Sequence, residues 1–480
     1  MSPHSKLADT DIPDDHIIVI FGATGDLAKR KILPGLFHLA AAGLLPHHYR
    51  IIGVSRSAMV ESSDAFRDQA LEAILEYGSH KPDAGEWEEF QKTLSFVVAD
   101  ATEWSHLEDA IMAAEVELGA NVRRLFHLAV PPNAAQDIIE MLGTSGLSRN
   151  SRVICEKPFG VDLASAQQLN RVIAANFEET QVYRIDHFLG KESIDNILAL
   201  RFANRMFEPL WNRDHVCFVQ IDVPESITIE GRGTFYEETG AFRDMVVSHL
   251  FQVLGFLAME QPVSLDASPL RDEVHKVFQT LQPIDPAWVV RGQYDGYRQE
   301  AGVAPDSDTE TFVALRAEVE NTRWKGVPFY LRSGKSLAQS RQVITIGFDE
   351  PVMRLFPLGP NSSSWRGNKL VVDFQDPGSI HAHFLAKEPG PRMRLDAAEM
   401  TFKYRDSFQA AHNLEAYERL ILEAMLGNRA FFTRSDGIER LWEVAAPLLA
   451  DPPPVEPYAQ GSWGPPSMER IVAPIEWCLP

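Results

Sequence analysis

Short apolar runs separated by helix-period stretches fill the first third of the chain. HIIVIF, His16 to Phe21, is the first and ends at a glycine loop; RIIGVS (50–55), LSFVVAD (94–100), RLFHLAV (124–130) and RVICEKP (152–158) follow. Between them, apolar residues recur at helical spacing over about 63–75 and 106–118, and the stretch after the first loop reads as a helix broken near Gly43 and Pro46. Strands alternating with helices predict a parallel sheet with crossover helices. After Gly160 the pattern changes. Helices are predicted over 163–176 and then towards Phe207, followed by strand-like runs at 215–223, 311–319, 327–333, 342–348, 369–374 and 379–385. An apolar helix over 239–257 interrupts them. Strands in succession without helices between them predict a largely antiparallel sheet. Helices over 416–426 and 436–449 and a Pro/Gly-rich tail close the chain, with no internal repeat.

Composition narrows this picture. At 480 residues, 45% hydrophobic and 23% charged, the chain suits a globular protein of two or three domains. No apolar run is expected to span a bilayer. The polar stretch 1–16 reads as a short disordered tail and not an export signal. Cys155, Cys217 and Cys478 are far apart with no CxxC spacing, so neither a disulfide framework nor a thiolate zinc site is expected, and a reducing compartment fits. A formal charge of −22 argues against nucleic-acid and anionic-membrane partners. An anionic ligand would then need local positive charge, so lysines beside histidines carry information.

Four segments combine such chemistry. In HIIVIF-GATGDLA-KRK the order is strand, glycine loop, helix: Gly22 permits a tight turn, Gly25 lets backbone N–H groups approach a pyrophosphate, and Ala28 stands where a third small residue belongs. The plainer reading is an ordinary strand-to-helix connection. The next strand ends at Ser55-Arg56 with no carboxylate, which favours a 2′-phosphate and hence NADP; the alternative for Arg56 is a solvated loop arginine. Lys157, in CEKPFG, follows a buried-looking strand, and Pro158 fixes the turn after it, in cis or in trans; otherwise it is a surface lysine. In RIDHFLGKE, His187 and Lys191 can meet one anion if Gly190 bends the chain, and Asp186 suits an imidazole; otherwise Asp186 is a helix cap and Lys191 is solvated. His249 sits among apolar neighbours, where a satisfied core histidine is the common case.

Together with LRFANRMFEPLWNR, EGRGTFYEETGAFRDMVVSHL, GVPFYLRSGKSL and AYERLILEAMLG, these motifs resemble the glucose-6-phosphate dehydrogenase family from Val19 to about Gly464. The resemblance implies an α/β plus α+β fold: an N-terminal Rossmann dinucleotide-binding domain, placed at 1–185, and a larger substrate-binding and oligomerisation domain with a mostly antiparallel sheet, placed at 186–480. It implies oxidation of D-glucose 6-phosphate to 6-phospho-D-glucono-1,5-lactone with NADP as hydride acceptor, the first step of the pentose phosphate pathway. By matched position, His249 looks like the general base and Asp186 its orienting carboxylate. His187 and Lys191 look like phosphate ligands, Lys157 a residue between sugar and nicotinamide, and Glu225, Asp244 and Lys335 sugar contacts. The loop Gly22, Ala23, Thr24, Gly25, Asp26, Leu27 and Ala28, with Arg56 and Lys157, would hold the cofactor. A homodimer or homotetramer in the cytoplasm is implied, with no metal. Ala338-Gln339-Ser340 stands where the family often has a basic residue, His127 where it often has tyrosine, and Asp373 where animal members have an arginine for a second NADP, so no second site is expected. A related enzyme for another anionic hexose, or a silent NADP-binding partner protein, are the competing readings.

Overall fold

The computed structural model describes residues 12–56, 62–119, 122–359, 367–375, 378–407 and 414–479; most of the expected N-terminal tail lies outside them. Six strands form the first sheet: β1 (His16–Phe21), β2 (Tyr49–Ser55), β3 (Leu94–Val98), β4 (Arg123–Leu128), β5 (Ser151–Cys155) and β6 (Val182–Arg184), ordered β3-β2-β1-β4-β5-β6 and parallel throughout. β1 is buried at every position because helices cover both of its faces, which is why it reads as a continuous apolar run. Strand order reverses between β1 and β4, so a crevice opens beyond their carboxyl ends.

The second sheet has nine strands: β7 (Val216–Pro224), β8 (Val289–Tyr294), β9 (Phe312–Glu318), β10 (Pro328–Gly334), β11 (Val343–Phe348), β12 (Lys369–Asp373), β13 (Ser379–Lys387), β14 (Leu395–Lys403) and β15 (Val455–Tyr458). Their order is β14-β13-β12-β11-β7-β10-β9-β8-β15. Most neighbours are antiparallel, but β7 with β10 and β8 with β15 are parallel. The largest hydrophobic core lies between this sheet and the helical stretch 233–258. That stretch has the length and hydropathy of a bilayer-crossing helix, contrary to the expectation that none would, yet 83% of its apolar window is buried inside the protein. It is a core helix. On the sheet's other face, Ile471, Val472 and Trp477 of the C-terminal segment pack beside Phe218 and Tyr330. The helix Ala416–Leu426 returns to the first sheet, where Leu420, Ile421 and Met425 join the core of Ile18 and Ile20.

Candidate functional site

At the crevice of the first sheet, a cleft of about 440 Å³ is walled by the ends of β1, β2 and β4 and by the glycine loop. Gly22 has φ +77°, and a Cβ there would stand 2.2 Å from the Ala129 carbonyl oxygen. Only glycine fits a turn held this close to β4. Gly22, Thr24, Gly25, Ser55 and Arg56 face the cleft. The other loop residues do not. Ala23 and Ala28 are buried in the core, Leu27 packs against it, and Asp26 is exposed and paired with Arg30 at 2.7 Å. The side chains of Ala23, Asp26, Leu27 and Ala28 therefore serve the turn and its packing, and any contact they make with a ligand would come from their backbone. Asp100, absent from the sequence reading, also lines the cleft. One of its oxygens accepts from Thr102 N and Oγ1 and Glu103 N, which hold its carboxyl below the usual range. The space, the glycine turn and the cation at its rim fit a phosphorylated dinucleotide.

Lys157 follows β5 directly. The Lys157–Pro158 bond is cis, Gly160 has φ +84°, and Asp162 caps the helix Leu163–Asn176 by accepting from Ser165 N at 2.8 Å. A Cβ on Gly160 would lie 2.6 Å from Ala166 N. This turn aims the lysine at the second domain, where Nζ donates to Asp244 Oδ1 at 2.8 Å and to His249 Nε2 at 2.7 Å.

Asp186 and His187 follow β6. Asp186 Oδ1 accepts from Phe188 N at 2.9 Å and meets His249 Nδ1 at 2.6 Å. Gly190 has no left-handed φ; it is needed because a Cβ would stand 2.6 Å from Ala416 O. Close backbone approach, not a bend, explains this glycine. Lys191 Nζ donates to Gln342 and lies 4.8 Å above the Phe188 ring. His187 stands edge-on to His249, with ring centres 4.7 Å apart.

Asp244 and His249 share the segment Phe242–Leu250, which is π-helical. In such a helix, residues five apart are joined by backbone hydrogen bonds, so positions 244 and 249 stack one above the other and one ammonium reaches both. The segment begins at Gly240 (φ 60°, ψ 177°), after which Glu310 accepts from Ala241 N through its carbonyl and from Phe242 N through its carboxylate. Arg291 in turn holds Glu310 at 2.7 Å.

The two imidazoles are held low for one main reason. Burial disfavours the charged form, and it pulls His187 well below its ordinary value, helped by His249 and Lys157. Burial also lowers His249, with Asp186 opposing and Lys157 adding to the shift. Burial alone would raise Asp244, but the charge and hydrogen bond of Lys157, with His249 and Lys335, hold it below the usual carboxylate range. His249 is therefore a neutral base whose Nδ1–H points to a carboxylate and whose Nε2 lone pair faces a cation, as its partners assign. Asp186, His187 and His249 could offer atoms within 4.8 Å of one another to a metal. A metal at Nε2 would displace Lys157 from a 2.7 Å contact, so the donor set suits a hydrogen-bonded dyad.

Lys335 and Glu225 meet at 2.6 Å. Gly334 and Pro224 are opposite each other in the parallel β10/β7 pair, so the residues after them must emerge side by side. Arg341, the last residue of the altered stretch 336–341, pairs with Asp373 at 3.0 Å. The structure thus gathers Asp186, His187, Lys191, His249, Lys157, Asp244, Lys335 and Glu225 into one region and leaves Arg56 at the dinucleotide cleft.

The sequence reading missed a supporting chain. Glu156 accepts from Tyr417 OH at 3.0 Å and meets His127 Nε2 at 2.7 Å, and the Tyr417 ring lies parallel to His187, centres 6.3 Å apart. Glu156 and Tyr417 lie inside motifs already singled out, CEKPFG and AYERLILEAMLG; only their distance in sequence hid the pairing.

Comparison with known proteins agrees along the whole chain. The family model described as "Glucose-6-phosphate dehydrogenase, NAD binding domain" matches residues 19–196, and "Glucose-6-phosphate dehydrogenase, C-terminal domain" matches 198–477. A glucose-6-phosphate 1-dehydrogenase of Rhizobium meliloti is 41% identical, covering 93% of this chain and 94% of its own. The protein named "Glucose-6-phosphate 1-dehydrogenase 5, cytoplasmic" of Arabidopsis thaliana is 38% identical over 95% and 90% of the two chains. A solved glucose-6-phosphate dehydrogenase in complex with glucose 6-phosphate is 33% identical, with a TM-score of 0.89 over 97% of this chain and 98% of its own.

Proposed function

Because this chain belongs to the glucose-6-phosphate dehydrogenase family and oxidises glucose 6-phosphate by hydride transfer to a nicotinamide, we propose that His249 is the general base and NADP the acceptor. The observation that carries the reading is the buried Asp186–His249 pair, 2.6 Å apart, with a second nitrogen left as an acceptor beside His187 and Lys157. The carbon-1 hydroxyl oxygen takes the place of Lys157 at Nε2 and gives its proton there. The carbon–hydrogen electron pair of the same carbon departs as hydride, leaving the lactone carbonyl. Asp186 stabilises the imidazolium so formed. When bound, the cofactor supplies the hydride acceptor. His187 and Lys191 bind the phosphate, whose distance from carbon 1 lets its binding energy position the sugar. Lys157, held by Asp244, orients the reacting hydroxyl, and Lys335 with Glu225 and Asp244 contacts the sugar.

Arg56, at the rim of the cleft that Asp100 also lines, recognises the 2′-phosphate. We place the division between domains at 185/186, the protein in the cytoplasm as the plant relative's name suggests, and a homodimer through the outer strands of the second sheet. Initial rates at the reduced-nicotinamide absorbance band, with glucose 6-phosphate, free glucose and other acidic hexoses and with each cofactor in turn, test the reading. Arg56→Ala is expected to weaken NADP by about 10-fold or more while sparing NAD; equal losses for both would remove its role.

A further inference from the structure

Behind the substrate loop, the helix Ala267–Thr280 and the residues leading into the helix Ser435–Ala450 line a second, small pocket of about 20 Å³, room for one water-sized particle. Arg271, His275, Thr433 and Arg434 line it together with Leu189 and Gln252. Arg271 is 7% exposed and Thr433 5%. Nε and Nη2 of Arg271, Oγ1 of Thr433 and Nδ1 of His275 are all buried without a hydrogen-bond partner among the described residues. His275 Nε2 lies 3.6 Å from Asp436, beyond hydrogen-bond reach, which leaves the Nδ1–H tautomer open. Buried donors are rarely left unmade because each is costly, and four such atoms on three residues lining one pocket call for an occupant.

Charge decides which occupant. Burial, with Arg429, Arg434 and Arg184 nearby and Glu179 alone opposing, pulls the Arg271 guanidinium down to about 10. Glu179 Oε1 already accepts from Arg184 at 2.9 Å and stands 3.7 Å from Arg271 Nη2. Arg434 is committed to Asp272 and Asp436. A water molecule would offer these donors an oxygen but would leave the excess positive charge in place, whereas an anion answers both. The space favours an occupant little larger than a water molecule.

We infer that this cavity binds a small inorganic anion of chloride size, held by the Arg271 guanidinium, the Thr433 hydroxyl and the His275 ring. Its walls place it against the reaction machinery. Leu189 belongs to the turn between His187 and Lys191, and Gln252 follows His249 by about one helical turn, so the ion ties the phosphate loop to the helix of the base.

Bromide serves as the probe. Crystals of the whole protein grown without halide and soaked in bromide are expected to show an anomalous peak between Arg271 and Thr433, absent in Arg271→Met. In solution, Tm in sodium chloride should exceed Tm in an equal concentration of sodium gluconate by about 2 °C or more. The difference should vanish in Arg271→Met and shrink in Thr433→Val, which keeps the guanidinium if the first variant does not fold. No bromide peak and equal melting in the two salts overturns the inference. So does a salt difference that both variants retain, and a peak with no melting difference, which is binding at crystal concentration only.

Discussion

His249 and Asp186 act as a pair, so their variants should fail differently. His249→Ala is expected to lower kcat by about 10²–10⁴-fold while NADP still binds, as isothermal titration would show; unchanged turnover removes His249 from the chemistry. Asp186→Asn keeps the shape but turns a donor or a weaker acceptor towards Nδ1, and a loss of about the same size is expected. Burial holds His187 and His249 below their ordinary value of 6.5, so the unfolded chain binds protons at a pH where the folded one does not. The stability linked to the neutral rings is whole above about pH 6.5 and is lost as pH falls below it. Melting temperature should therefore drop between about pH 6.5 and 5, and kcat/KM should keep its neutral-pH value to below pH 6.5 before its acid limb begins. A Tm independent of pH across that window would contradict the burial argument. The residue types of RIDHFLGKE were legible because its candidate anion ligands and carboxylate lie close together, between Asp186 and Lys191. His249 was legible only through the family resemblance, since a histidine among apolar neighbours acquires meaning only from a partner 63 positions away.

That partner is reached through the winding of one helix. A sequence pattern at 3.6-residue spacing predicts an apolar helix over 239–257 but not its π-helical stretch, because the near-continuous run of buried residues from Met245 to Phe256 blurs the phase that would report it. The first five strands of the first sheet were readable for the opposite reason: turns and helices bracket each apolar run. Strand β14, exposed along much of its length, β8, whose run is broken by Arg291 and Gly292, and the short β6 and β15 were missed, having too little apolar pattern to distinguish them from loop. Gly240 is where the element is most sensitive. Its φ of 60° with ψ of 177° suits glycine, and a Cβ would stand 2.4 Å from Glu310 Oε1. Gly240→Ala should cost about 1–3 kcal/mol from backbone strain alone, and by shifting Asp244 and His249 it should lower kcat more than it raises KM. Denaturant unfolding and steady-state rates check both halves. Gly22→Ala belongs to the same class: it should abolish dinucleotide binding, measured by fluorescence titration, with the second domain's fold unaffected.

Across the whole molecule, the edge strand β14 of the larger sheet is bridged at Leu395 by Leu358, and among the described residues Met400 is 63% and Phe402 37% exposed on it. Exposed apolar side chains on an edge strand mark a surface that association would cover. Met400→Glu is expected to weaken self-association by about 30-fold or more, read by sedimentation velocity, and an unchanged sedimentation coefficient would move the interface elsewhere. The other long-range feature is the helix Ala416–Leu426, which supplies Leu420, Ile421 and Met425 to the core under β1. When the nascent chain has delivered its first sheet to the end of β6, that helix is still more than two hundred residues from being translated. At bacterial or eukaryotic elongation speeds this is roughly ten to fifty seconds, during which an apolar flank of the half-built dinucleotide domain faces water and the chaperones that patrol the ribosome exit.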